Sequence, residues 1–281
     1  MNQDTRSLTA GSVCVDKAAE PVFAEEQKTW WQYHLKTFRI LLSLFLGLLL
    51  WEIVGRLSNP LIFVPFSQVV GAFLELARSG DLWRHTYVSF VELVVGFSIG
   101  AGVGLALGVV IGVSEPVRDM TDPWISVLYS TPYIAVTPLF IIWFGIGITS
   151  KAAIVFLAVI FPVLLNTYAG IATAERRLVE TGRAFGASNF QIFRWILLPS
   201  ALPSIVVGLR LAMSRGLIAV VVGELFGSLA GLGFLIANSA QKFDTAMLLA
   251  GVFTLAGIAM ILVETLKWIE HRMAPWREAT E

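Results

Sequence analysis

Long stretches without a charged residue limit what this chain can fold into more than any other feature does. Five of them reach or approach the length of a membrane-spanning helix, which is about 20 mainly apolar residues: 93–114, 123–150, 152–174, 225–241 and 245–263. They lack the alternation of apolar and polar residues that a membrane β-barrel shows, so they favour helices. Charged residues make up 14% of the chain, against roughly a quarter in soluble proteins. The sequence therefore predicts an all-α integral membrane protein.

We predict six transmembrane helices, placed on the apolar runs and their flanking residues: 38–56, 88–112, 123–146, 151–172, 203–228 and 246–268. The uncharged run 57–74 is not counted among them. Its residues Asn59, Pro60 and Pro65 disfavour a continuous membrane helix. We expect this run to lie outside the membrane, with a short amphipathic helix from Ser67 to Arg78.

Lysines and arginines near the span ends predict the orientation, because these residues accumulate in cytoplasmic loops. With both termini inside, the outer side holds only Arg56, Arg78, Arg84, Lys151 and Lys242, and the larger set lies inside: Lys28, Lys36, Arg39, Arg118, Arg176, Arg177, Arg183, Arg194, Lys267, Arg272 and Arg277. This predicts a cytoplasmic tail at 1–37, an external segment at 57–87, a five-helix core at 88–268 and a cytoplasmic tail at 269–281. Cys14 is the only cysteine, so no intramolecular disulfide is possible.

The second predicted span carries a row of glycines, each four residues from the next: Gly96, Gly100, Gly104, Gly108 and Gly112. Small residues at this spacing form a smooth stripe that lets another helix approach closely. The stripe either serves packing alone or forms a seam along which helices slide during gating. The sequence leaves both interpretations open.

The polar loop 173–202 is predicted to form two short helices joined by a turn. The first helix, from Arg177 to Phe185, should end at Gly186, because glycine adopts the left-handed conformation at low cost. The second helix should begin with Ser188 as its N-cap, since Gln191 follows at the spacing of a capping box.

The end of the loop is predicted from its prolines. We expect the second helix to end before Pro199 and Pro203 to lie in the first turn of the fifth span. The loop also contains more apolar residues than a solvated loop requires, namely Leu178, Ala184, Phe185, Phe190, Ile192 and Phe193. This composition suggests a docking surface. An amphipathic helix lying on lipid is the alternative.

The loop also resembles a known motif. Its spacing E-x5-G-x9-I-x-L-P, formed by Glu180, Gly186, Ile196, Leu198 and Pro199, resembles the loop by which membrane subunits of ABC importers engage their ATPase. Thr181 and Gly182 stand where that family usually has two alanines. Other segments resemble the same family: Pro132, Ala135, Pro138-Leu139, 143–147, Ser150-Lys151, Phe161-Pro162, Asn166-Thr167, Gly170, 208–210, Glu224 and 231–233. Over most of its length the chain resembles permease subunits of type I ABC importers of the aliphatic sulfonate, taurine and nitrate kind.

The resemblance implies a non-catalytic six-helix permease of the bacterial inner membrane. Two ABC ATPase subunits would bind the loop 173–202, through the coupling residues Glu180, Arg183, Phe185, Gly186 and Pro199. The further partners would be a second copy of this chain and an external solute-binding protein, with no nucleic acid involved. ATP and magnesium would be used by the ATPase, and this chain would bind no cofactor. The expected cargo is an organic or inorganic anion such as a sulfonate, taurine or nitrate.

Polar residues inside the apolar spans are candidates for the translocation pathway. They are Ser126, Tyr129, Ser130, Thr131, Tyr133, Thr137, Asn166, Ser214 and Arg215. The alternative for each Ser or Thr is a hydrogen bond to its own helix backbone. Arg215, as a buried cation, needs a partner. That partner could be the cargo or a carboxylate, such as Glu224 of a neighbouring subunit.

Several other chemistries find no support. The chain contains no Gly-Lys dipeptide and hence no phosphate-binding loop of its own. Residues 96–100 match the G-x-S-x-G pattern of a hydrolase nucleophile but lie in a predicted membrane helix, away from the histidines. We find no cluster of metal ligands. An ion-coupled secondary transporter is the alternative function and a membrane scaffold a third. Of the charged residues in the spans, we count only Arg210, Arg215 and Glu224 as candidates for coupling chemistry inside the membrane, with Glu92 near an interface.

Overall fold

Helices form all the regular secondary structure of the part that the computed structural model describes, the backbone of residues 30–273 and the side chains of residues 37–268. In order, they are α1 (Trp30–Leu57), α2 (Phe66–Ser79), α3 (Asp81–Val113), α4 (Glu115–Ser130), α5 (Thr137–Phe144), α6 (Ile148–Ala172), α7 (Arg176–Ala184), α8 (Asn189–Ile192), a π-helical turn (Phe193–Leu197), α9 (Leu198–Phe226), α10 (Leu232–Gln241) and α11 (Thr245–Met273). The predicted all-α fold is confirmed.

Five helical segments of the described residues are long and apolar enough to cross a membrane. They are Thr37–Leu57, Asp81–Val113, Ile148–Ala172, Asn189–Phe226 and Thr245–Trp268. These segments overlap five of the six predicted spans, all except the third.

The third predicted span, 123–146, is not one continuous helix. The chain instead forms α4, which already begins at Glu115, and the short α5, with residues 131–136 between them. Thr131 is extended, with ψ of 124°, because the residue before a proline is disfavoured in the helical region and Pro132 follows it. Gly145, with φ of 77°, ends α5. The absence of charge in this run therefore indicated an apolar segment but did not indicate whether that segment forms one continuous helix.

The chain divides into two units, residues 1–50 and 51–281. In the described part of the first unit, residues 38–50 of α1 are all exposed. The second unit has its main hydrophobic core where α3, α6 and α9 meet, around Leu93, Val155, Val159, Ala212 and Ala219. In the apolar stretch of α6, 61% of the residues are buried, compared with 39% in the apolar stretch of the Asn189–Phe226 segment. Helix α6 is therefore the central element of this core.

The glycine row of α3 lies against α6. A Cβ atom at Gly96 or Gly100 would stand 3.0 Å or less from the side chain of Val155 or Val159, respectively. At Gly104, Gly108 and Gly112 it would stand equally close to Val163, Thr167 and Ile171. The five positions repeat one contact along the helix, which lets the two backbones approach as small residues permit.

The short amphipathic helix predicted at 67–78 is confirmed as α2. Its buried residues Val69 and Leu76 belong to a second hydrophobic cluster that includes Leu235 and Ala250. The preceding segment turns sharply, and Trp51 fixes it by donating its Nε1–H to the carbonyl oxygen of Val64 at 3.0 Å. The run 57–74 is thus not a continuous helix, as its prolines predicted.

Candidate functional site

The first half of the loop 173–202 has the predicted local structure. Helix α7 ends in a turn at Gly186, whose φ is 77°, and the N–H of Ala187 donates to the carbonyl of Gly182 at 3.0 Å. Ser188 then caps α8. Its hydroxyl accepts from the N–H of Gln191 at 3.3 Å, and its own N–H donates to the side chain of Gln191 at 2.8 Å. The left-handed turn and the capping box are both confirmed.

The second half of the loop differs from the prediction. The second helix does not end before Pro199, because α8 continues through the π-helical turn 193–197 directly into α9. Pro203 consequently lies inside α9 rather than in its first turn. In the wide turn the N–H of Leu198 donates to the carbonyl of Phe193, five residues back. Such a turn interrupts the ordinary hydrogen-bond ladder at the position where a proline ring would disturb it.

The loop exposes large aromatic side chains on both sides of the turn. Phe185 is 87% exposed, Trp195 74% and Phe190 72%. A shallow groove of about 330 Å³ lies between the turn and the helical segment that follows it, and it is lined by Phe185, Gly186, Ala187, Gln191, Ile192, Trp195 and Ile196. The sequence motif did not single out Trp195, whose exposure became visible only in the fold.

Four of the five predicted coupling residues lie on α7 and its turn. Glu180 is exposed and accepts from Arg176 Nε at 3.0 Å in an i,i+4 ion pair, and Arg183 and Phe185 are also exposed. Pro199, the fifth, lies in α9 beyond the π-helical turn. Helix α7 packs closely on the following segment, since a Cβ at Gly182 would stand 3.1 Å from Ile196 Cδ1.

Most of the predicted pathway residues use their polar groups within their own helix or the turn before it. The donors Ser130, Thr137, Asn166 and Ser214 each bond a carbonyl four residues earlier, at 2.7, 3.5, 2.8 and 3.4 Å. Tyr133 is partly buried against the main core. For the Ser and Thr donors the backbone alternative holds, and Asn166 bonds its helix in the same way. The presence of these residues in apolar spans is therefore not by itself a sign of contact with cargo.

Arg215 of α9 is different, because its partner lies on another helix. Its Nη2 donates to the hydroxyl of Tyr129 on α4 at 3.0 Å, and its guanidinium carbon lies 5.3 Å from the centre of the same ring. Tyr129 in turn packs against Phe161 of α6, with ring centroids 6.0 Å apart. Arg215 itself is exposed. Glu224 is 1% exposed and bonded to Ser89 and Gly233, so its carboxylate is not exposed for a pairing with Arg215 of a neighbouring subunit.

Comparison with known proteins places this geometry in a family. Residues 100–275 match the model of the "Binding-protein-dependent transport system inner membrane component" family. The matched region contains α7, the turn at Gly186, the groove and Arg215. It therefore includes the whole loop and most of the three-helix core.

Three curated relatives cover most of the chain. The putative aliphatic sulfonates transport permease protein SsuC of Escherichia coli is 36% identical over 82% of this chain and 88% of its own. The taurine transport system permease protein TauC of the same organism is 31% identical over 82% and 86%. The riboflavin transport system permease protein RibX of Chloroflexus aurantiacus is 34% identical over 83% and 88%.

Solved structures show the same fold. The MetNI methionine ABC transporter in an inward-facing conformation aligns with a TM-score of 0.56 at 20% identity, covering 67% of this chain and 92% of that one. These matches support an importer subunit over the ion-coupled secondary transporter. The chain belongs to the binding-protein-dependent transport system inner membrane component family and is a multi-pass permease subunit of an ABC importer.

Proposed function

We propose that two copies of this permease form the translocation pathway for an anion that an external binding protein delivers. Two ATPase subunits bind the loop 173–202 of the two copies and use ATP and magnesium, while the permease itself carries out no catalysis and binds no cofactor. Both termini and the loop face the cytoplasm, and residues 57–87 face outward. Family membership supports the kinds of partner, and the arrangement and stoichiometry are our proposal.

The exposed groove beside Gly186 is the observation that carries the coupling role. Phe185 and Trp195 border a concave surface, whereas a helix lying on lipid presents a convex apolar face. Exposed apolar surface of this kind is typical of a protein docking site. Because α7 contacts the segment that continues into α9, a displacement of α7 is transmitted directly to a helix of the transmembrane core.

Two substitutions in the loop test this coupling. Glu180→Ala removes an exposed side chain whose ion pair contributes little to stability. Gly186→Leu has space for its Cβ but forces a side chain onto a positive φ, which costs about 1–2 kcal/mol. We expect both variants to insert normally and to lose transport and binding-protein-stimulated ATP hydrolysis in proteoliposomes that contain the whole complex.

The matched control is Gly80→Leu, which imposes a positive φ of similar size at an open position between α2 and α3. This variant should keep coupled ATP hydrolysis. Normal transport by both loop variants, or equal losses in the Gly80 control, would contradict the docking assignment.

The orientation is tested by labelling. Gln68 of α2 and Asn189 of α8 are exposed and make no capping bond, so a cysteine at either position should leave the fold intact. In a Cys14→Ser background, an impermeant thiol reagent should label position 68 only from outside and position 189 only from inside. Labelling of both positions from one side would refute the proposed topology.

The anionic cargo is supported by two observations. The names of the relatives SsuC and TauC specify sulfonates and taurine. Arg215 is an exposed cation whose partner across the helices is the neutral hydroxyl of Tyr129 rather than a carboxylate. A cation without a compensating carboxylate is available to an anion in surroundings that are poor in water.

Ligand binding by the isolated binding protein identifies the cargo, and uptake by reconstituted Arg215→Gln then tests the arginine. We expect slower uptake of an anion with unchanged capture by the binding protein. Tyr129→Phe is the companion variant, since it removes the hydroxyl but keeps the ring and the cation, so uptake should continue. A ligand without an anionic group would exclude the anion proposal, and undiminished uptake by Arg215→Gln would make this residue structural.

A further inference from the structure

The N-terminus of α10 is capped by side chains from other helices. None of its own side chains caps it, yet three successive backbone N–H groups at its start are satisfied. Gly231 donates to His85 Nδ1 at 3.0 Å, Leu232 to Ser89 Oγ at 2.8 Å and Gly233 to Glu224 Oε2 at 2.5 Å. Helices α3 and α9 thus supply the acceptors that the first turn of α10 needs.

The cap is buried and tightly fitted. His85 and Ser89 are each 7% exposed and Glu224 is 1% exposed. Gly231 has a φ of 119°, and a Cβ atom there would overlap the carboxylate of Glu224. Only glycine permits both this backbone conformation and this close approach.

A second carboxyl group lies beside the first. Glu92 of α3 is 2% exposed, and its side chain faces Glu224 within hydrogen-bonding range. The Oε2 atom of Glu92 is buried and has no hydrogen-bond partner among the described residues. Two ionised carboxylates are acceptors only and cannot bond each other, so this pair needs one proton.

The surroundings decide which carboxyl carries that proton. Glu224 Oε1 accepts from the Ser89 hydroxyl at 2.5 Å, and its other oxygen accepts from Gly233 at the N-terminus of a helix, where negative charge is favoured. Glu92 has no comparable set of donors within the part of the chain that the structure describes. An unpartnered oxygen also costs less on a neutral acid than on a carboxylate.

The charges of the cluster then balance. Lys151 of α6 is fully buried, donates its Nζ to the carbonyl of Ile146 at 2.8 Å and lies near both carboxyls. His85 accepts a hydrogen bond at Nδ1, so that nitrogen carries no proton and the ring is the neutral tautomer. One ammonium therefore faces one carboxylate, as a buried ionic group requires.

We propose that Glu92 and Glu224 form a proton-binding site that holds one proton on Glu92 and keeps Glu224 ionised as the cap of α10. The site joins α3, α6, α9 and α10 at the end of α9 that lies away from the loop 173–202. Loss of the proton would put a second negative charge into the buried cluster and weaken the packing of α3 against α10. This inference is independent of the cargo and of the coupling role.

Infrared spectroscopy of the reconstituted complex at neutral pH tests the site. The Glu92→Gln variant should lose one carbonyl stretching band of a protonated carboxylic acid. The band should also be lost in Glu224→Gln, because Glu92 is then the carboxyl group that must ionise to balance Lys151, and it should be unchanged in the exposed control Glu75→Gln. No loss of the band in Glu92→Gln, or its loss in Glu224→Gln alone, would overturn the assignment.

Thermal unfolding of the same complexes gives an independent readout. The amide of Glu92→Gln can still donate to Glu224, so its apparent melting temperature should stay within about 2 °C of the parent. Glu224→Gln presents an amide to the donors Ser89 and Gly233, and its melting temperature should fall by roughly 5 °C or more. Equal decreases in the two variants would overturn the proposed asymmetry, and the infrared result for Glu92→Gln decides the case if Glu224→Gln fails to assemble.

Discussion

The chain around the two ends of α9 differs in which side chains are exposed and in where the helix caps come from. Near Leu198 the preceding loop exposes aromatic side chains, and Ser188 caps α8 by a hydrogen bond with Gln191, only three residues later in the chain. Near Phe226 the chain buries charged side chains, and Ser89 caps a helix that begins 143 residues later. A helix of this length places its ends roughly 40 Å apart, at 1.5 Å per residue. One end exposes the surface that we propose for partner contact, and the other end is closed by internal hydrogen bonds.

This difference shows how helix ends depend on their surroundings. At the exposed end, water and a local side chain satisfy the backbone, so a short motif suffices. At the buried end, no water replaces a missing partner, and every acceptor must arrive from a packed neighbour. We therefore expect substitutions at the buried end to affect stability and substitutions at the exposed end to affect coupling.

The largest effect should come from Gly231→Ala at the buried end. The added Cβ would overlap the Glu224 carboxylate at a φ of 119°, and we expect a loss of roughly 2–5 kcal/mol from overpacking and backbone strain together. The measurement is the yield and thermal stability of the assembled complex. Gly227→Ala is the control, since its Cβ would meet only ordinary contacts with Ile141 at 3.4 Å or more. Equal stability of the two variants would disprove the tight fit.

Gly104→Leu should have the next largest effect, through the packing of α3 on α6. Even a Cβ at this position would stand 2.7 Å from the carbonyl oxygen of Ile160, and overpacking typically costs about 1–3 kcal/mol. Gly102→Leu on the open side of α3 has nothing within 4 Å of its Cβ and should assemble and transport normally. Transport with normal assembly by Gly104→Leu would contradict a packing role for the glycine row.

The two capping serines give a direct test of the comparison. Ser89→Ala leaves the N–H of Leu232 and an oxygen of Glu224 without their partner in a buried site, at a cost of about 1–3 kcal/mol for each group. Ser188→Ala removes an exposed N-cap, which typically costs about 1 kcal/mol. Thermal unfolding should show the larger decrease for Ser89→Ala. Stimulated ATP hydrolysis, normalised to folded complex, should decrease only for Ser188→Ala, and the reverse pattern would contradict the division of roles.

The smallest effect on stability should come from Phe185→Ala, because the side chain is 87% exposed. We expect an unchanged melting temperature with weaker binding of the ATPase to the permease, measured as the concentration needed to reconstitute the complex. Trp83→Ala, which removes another aromatic side chain that is 67% exposed, should leave that concentration unchanged. Comparable weakening in the two variants would argue against a specific docking surface.

The sequence by itself determined the features that depend on near neighbours. Five of the six spans predicted from the apolar runs overlap helices of membrane length, Gly186 predicted the left-handed turn, and the Ser188 and Gln191 pair predicted the capping box. Each of these results from interactions within a few residues or from the membrane as a solvent, so the pattern along the chain contains the necessary information.

Tertiary structure decided the features that depend on distant partners. The sequence predicted one continuous helix over 123–146 and a helix end before Pro199, and both predictions were wrong. The chain instead breaks at residues 131–136 and continues through Pro199, because the surrounding fold decides which helical turns are supported. The sequence marked Glu224 as an intramembrane charge and Glu92 as one near an interface, but it did not show that their side chains meet at the N-terminus of α10. Buried polar groups must find hydrogen-bond partners wherever the fold brings them, and those partners here are separated by up to 146 residues.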